Sequence, residues 1–140
     1  MRHLFSGFLA GFLAVLTVHQ AVIAAGGALG VLPGASGWSM RPVPPMGIPQ
    51  VLSLAFWGGI WGIPLAALAA RMGKGLAGWV VPALLFGLAT TLVGWYVVGP
   101  LKGRPAADLS AARLMTGLVI NGAWALGALA FLGLLRRFGR

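Results

Sequence analysis

LMTGLVINGAWALGALAFLGLL, residues 114–135, runs without a single charged side chain. At about 1.5 Å of rise per helical residue, a stretch of this length matches the ~30 Å hydrocarbon core of a bilayer. Three more stretches read the same way: residues 5–25, 51–70 and 79–99, also free of Asp, Glu, Lys and Arg. The fold expected is therefore all-α: a small polytopic membrane protein of four antiparallel transmembrane helices, forming one membrane domain over residues 1–140. A soluble bundle of buried helices is the alternative. Four consecutive apolar runs of this length exceed the usual globular helix.

Composition supports the membrane reading. The chain is 59% hydrophobic and only 8% charged, against about 25% charged in a soluble domain. The net charge of +9 invites a nucleic-acid reading, but the basic residues sit at the chain ends and in the loops. They form no stripe and do not interleave with aromatics, so no nucleic-acid partner is expected. Lipid headgroups and topology account for them better. One side collects Arg2, Arg71, Lys74, Arg136, Arg137 and Arg140; the other collects Arg41, Lys102, Arg104 and Arg113, with Asp108, the one acid. The positive-inside bias puts both termini in the cytoplasm, in a membrane expected to be the bacterial inner membrane. The N-terminal run extends past the 7–15 apolar residues typical of a signal peptide, so it reads as a retained helix.

The segment between the first two spans, residues 26–50, is rich in Pro and Gly yet carries Leu29, Val31, Leu32, Trp38, Met40 and Ile48. Irregular backbone cannot face lipid. The segment is expected in the headgroup zone or folded over the mouth of the bundle, with a re-entrant hairpin as the other option. Pro49 stands just before the second helix and Pro64 inside it, where a kink is expected. Pro82 falls in the first turn of the third helix, and Asp108 is placed to cap a fourth helix starting near Leu109.

Small residues recur at helical spacing: Gly7 and Gly11; Gly58, Gly62 and Ala66; Ala83, Gly87, Thr91 or Thr90, and Gly94; Gly117, Asn121 and Ala125. Such rows let membrane helices approach closely. The expected architecture is thus packed through Gly-rich faces, which offer self-association or contact with other membrane subunits.

The polar groups within the spans are few. His19 lies ~6 Å outward of its span centre, Asn121 about as far outward of its own, and Thr90 and Thr91 within ~3 Å of theirs on the same side. His19, Thr90, Thr91 and Asn121 are therefore expected to share one polar layer. An intramembrane ionisable group is a candidate functional site; the plainer reading of His19 is an interhelical hydrogen bond to Asn121 or a threonine. Gln20, nearer the interface, is expected to be wet. Among the aromatics, Trp57 and Trp61 form an i,i+4 pair beside glycines, and Trp124 lies mid-span, where a buried indole N–H needs a partner. These three rings either fill space or contact a lipid or cofactor. Trp79, Trp95 and Tyr96 fall near span ends, as interfacial anchors do.

Chemistry-bearing constellations are missing from the sequence. With no Cys and two His on one helix, neither a zinc site nor a bis-histidine haem is expected. MGKG at residues 72–75 lacks the spacing of a P-loop, and Asp108 has no carboxylate partner. Small multidrug exporters carry a glutamate in their first span, which this chain lacks. INGAWALG at residues 120–127 is similar to the Asn-plus-small-residue string of dual-topology fluoride channels, but it lies in a different span. The expectation is a non-catalytic membrane subunit or assembly factor without a cofactor; the alternative is a homo-oligomeric channel or transporter for a small solute, ion or lipid.

Overall fold

The computed structural model describes residues 2–73, 75–103, 105–106 and 108–138. Lys74, Arg104 and Arg140 of the topology count lie outside them. The protein is 77% helical. Four helices carry it: α1 (His3–Ala28), α2 (Gln50–Met72), α3 (Leu76–Leu101) and α4 (Ala111–Phe138), each long and apolar enough to cross a membrane. No more than 39% of the most apolar window of any of them is buried. Leu84, Leu85 and Trp57 stand about half exposed. An outer surface this apolar is what lipid, rather than water, tolerates.

Each helix runs one to three residues past both ends of its apolar stretch, because a helix leaving hydrocarbon has no reason to unwind before a cap stops it; α4 nevertheless starts at Ala111, two residues after the start expected near Leu109. α2 ends at Gly73, which takes φ 78°, a conformation glycine adopts without steric cost. α3 opens after the extended Gly75. Starting at Leu76, α3 places Pro82 in its second turn rather than its first, and buries it. α2 continues through Pro64. Asp108 does not cap α4. Ser110 does, accepting the Arg113 N–H at 3.3 Å on its hydroxyl, while Asp108 pairs with the Arg113 guanidinium.

α1 packs chiefly against α2 and α4, and α3 chiefly against α4; the α2–α3 contact is thinner. The core gathers Ala14, Val15, Ala55, Leu65, Trp124, Ala125 and Leu129. At the α1–α2 crossing the two backbones touch. A Cβ on Gly11 would lie 2.9 Å from the Gly62 Cα and would overlap the Gly58 carbonyl. Between α3 and α4, a Cβ on Gly87 would lie 3.0 Å from the Gly122 Cα. Trp124 bridges three helices: it is 2% exposed, and its indole N–H donates to the Gly11 carbonyl at 3.0 Å beside Gly58.

The segment joining α1 to α2 forms a short hairpin beside the start of α2. β1 (Pro42–Val43) pairs antiparallel with β2 (Ile48–Pro49), and the Gly47 N–H closes the turn on the Val43 carbonyl at 3.0 Å. Hydrogen bonds from Gln50 N–H to the Arg41 carbonyl (2.9 Å) and from Val51 N–H to the Ser39 carbonyl (3.1 Å) hand the chain to α2. Between α1 and α2 the described residues form this short hairpin and turns, with no further helix.

Candidate functional site

Polar side chains concentrate where the joining segment meets α1. Residues Val15–His19 form a π-helical turn. There the Gln20 N–H reaches the Val15 carbonyl, five residues back. The Leu16 carbonyl accepts the Trp38 indole N–H at 2.7 Å. Gln20, expected to be wet, is instead 2% exposed. Its Oε1 accepts the Trp38 backbone N–H at 2.8 Å. Its amide Nε2 sits 3.2 Å from His19 Nδ1. Trp38 takes φ 54°, unusual for a residue with a Cβ. Such strain persists only where the surroundings over-determine it; here two hydrogen bonds to α1 do so. Gly37 fits because a side chain would meet the Gln20 carbonyl and the Ala24 methyl.

The second polar group ties α3 to α4. Asn121 Nδ2 donates to Thr91 Oγ1 at 2.9 Å, and Thr91 Oγ1 donates to the Gly87 carbonyl at 2.7 Å. Thr91 is buried, and its side chain lies against Gly117, which leaves room for it. Thr90 turns back on its own helix, donating to the Phe86 carbonyl at 2.6 Å. Of the four residues expected in one layer, Thr91 and Asn121 are therefore bonded, and Thr90 is not joined to them. His19 bonds Gln20 rather than Asn121 or a threonine.

His19 and Asn121 nevertheless line one open groove of about 670 Å³. Its wall draws on all four helices and the joining segment: Ile23 from α1, Leu32, Leu54 from α2, Trp95 from α3, and Thr116 and Arg113 from α4. A second π-helical turn, Gly94–Val98, carries Trp95. π-turns are rare and frequently sit at functional sites; both of those here border this groove.

The three rings singled out from sequence are dispersed. Trp57 is exposed and meets Phe56 edge-on. Trp61 meets Phe86 edge-on, with centroids 6.1 Å apart. Trp124 is enclosed by protein and hydrogen-bonded, so its ring offers no surface to a lipid or cofactor. From sequence, Gln20 is expected only to be wet and Trp38 only to be one apolar residue of the joining segment, so neither is expected in a site. The signals were a second polar residue next to His19 in an apolar helix, and a lone Trp in a Gly/Pro-rich linker. No protein-family model, curated protein or solved structure matches the chain.

Proposed function

We propose that this chain is a non-catalytic integral membrane subunit or assembly factor. Its four helices run antiparallel on Gly-rich faces, in a bacterial inner membrane, with both termini cytoplasmic. The observation that carries this reading is how the deep polar groups are used. Gln20 holds the joining segment to α1, Thr91 and Asn121 hold α3 to α4, and Trp124 holds α4 to α1. Thr91, Asn121 and Trp124 act as interhelical ties, the ordinary use of sparse polar residues in membranes.

A partner helix has a place to sit. A groove of about 360 Å³ between α3 and α4 has small residues at Ala83, Gly122 and Ala123 and larger ones at Leu84, Leu118 and Leu126. A Cβ on Gly122 would meet nothing nearer than the Ala83 carbonyl at 3.9 Å. Small residues of this kind allow a second helix to approach closely.

Extraction of the tagged chain into native-lipid nanodiscs, followed by affinity purification, tests the reading. A membrane partner in fixed stoichiometry, lost in Ala123→Trp while the fold is kept, is the expected result. The chain alone as a closed homo-oligomer favours the second reading, a channel or transporter for a small solute, ion or lipid, which the groove lined by His19 and Asn121 supports.

A further inference from the structure

The groove lined by His19 and Asn121 has a fixed hydrogen-bonding polarity. The Trp38 backbone N–H can only donate, so the Gln20 group facing it at 2.8 Å is the carbonyl oxygen. The Gln20 amide nitrogen therefore faces His19 Nδ1. An amide nitrogen also only donates, which makes Nδ1 the acceptor and puts the ring proton of neutral His19 on Nε2. Next to the Asn121 that also lines the site, the Thr91 hydroxyl spends its one hydrogen on the Gly87 carbonyl and so accepts from Asn121 Nδ2. That leaves Asn121 Oδ1 as an acceptor. Neither His19 Nε2 nor Asn121 Oδ1 has a partner among the described residues. Nor is any unpartnered side-chain nitrogen or oxygen fully buried there. Both atoms are therefore accessible.

The rest of the wall selects against charge. Ile23, Leu32, Leu54, Trp95 and Ile120 are apolar. The Thr116 hydroxyl is spent on the Ala112 carbonyl at 2.9 Å. The one cation, Arg113, is already paired with Asp108. A charged group laid against these apolar side chains would give up hydration, and the cation at the exposed rim already has a partner. A volume of about 670 Å³ lies within the usual range for small-molecule sites.

We propose that this groove binds an uncharged amphipathic molecule. Its polar head, an alcohol or a primary amide, accepts from His19 Nε2–H and donates to Asn121 Oδ1, and its apolar body lies along Leu54, Trp95 and Ile120. The inference rests on the groove alone and holds for a subunit and for a transporter.

The test uses the full chain in phosphatidylcholine nanodiscs and a 1-decanol probe bearing a mid-chain diazirine, with cross-linked residues mapped by mass spectrometry. Adducts are expected on Leu54, Trp95 and Ile120. Excess 1-decanol should compete at least 10-fold more effectively than decane, and labelling should fall about 5- to 10-fold in His19→Phe and in Asn121→Leu. Leu54→Trp keeps both polar groups and the α3–α4 tie while filling the space; it should abolish the adducts, and it decides the matter if the Asn121 variant does not fold. Adducts spread over outward-facing Leu85 and Val119, equal competition by decane, or labelling unchanged in all three variants would each overturn the proposal.

Discussion

Replacing Gly11 with alanine adds one methyl group where α1 and α2 already touch. The new Cβ would sit 2.9 Å from the Gly62 Cα and would overlap the Gly58 carbonyl. Carbon–carbon contacts are optimal near 3.5–4.0 Å, so the helices must separate by ~0.6–1 Å or more. A gap of 0.5–1 Å forfeits a quarter to a half of each dispersion contact along the seam. Dispersion is the main attraction between membrane helices. Overpacking of this kind costs about 1–3 kcal/mol. Gly133→Ala is the control, because a Cβ there meets nothing within 4 Å; mid-helix, it should be neutral or stabilising by up to about 1 kcal/mol. SDS-driven unfolding in mixed micelles, followed by circular dichroism, reads both. Gly11→Ala should unfold at clearly lower SDS than wild type, and Gly133→Ala at the same or higher. Equal midpoints for wild type and Gly11→Ala would refute the close-approach argument.

Gln20→Leu should leave the Trp38 N–H unpaired, at about 1–3 kcal/mol. Faster proteolytic cleavage within residues 29–49 is the measurement. Trp124→Phe removes the indole donor but keeps a ring, so a loss of about 0.5–1.5 kcal/mol in the same SDS assay is expected. Asn121→Leu should cost only ~0.6 kcal/mol, at most about 1.7, the measured range for polar ties in membranes. Asp108→Asn breaks an exposed ion pair and should move the midpoint by less than ~1 kcal/mol.

The four helices were legible because hydropathy over some 20 residues depends on composition alone. The need of Trp124 for a partner was legible too, since a mid-span indole N–H must be satisfied. Which carbonyl satisfies it was not, because Gly11 is remote in sequence and near only after α1 and α4 pack. The Trp38 dock was hidden for a related reason. It requires a widened turn in α1, a strained backbone at Trp38 and a buried Gln20 to coincide, and no local propensity encodes that combination. His19 and Asn121 line one groove, yet the imidazole bonds adjacent Gln20, a pairing that depth along separate helices does not encode. Asp108 was a plausible cap by residue type. The helix begins two residues later than expected, and Ser110 takes that role.

Single-cysteine labelling tests the four-crossing arrangement most directly, because the chain has no cysteine of its own. Ser36 and Arg137 are both exposed, one in the segment after α1 and the other at the end of α4. With four crossings and both termini cytoplasmic, a membrane-impermeant maleimide applied to intact cells labels Ser36→Cys and leaves Arg137→Cys unlabelled until the membrane is opened; the reverse pattern keeps the crossings and inverts the orientation. Labelling of both positions from the same side contradicts the arrangement.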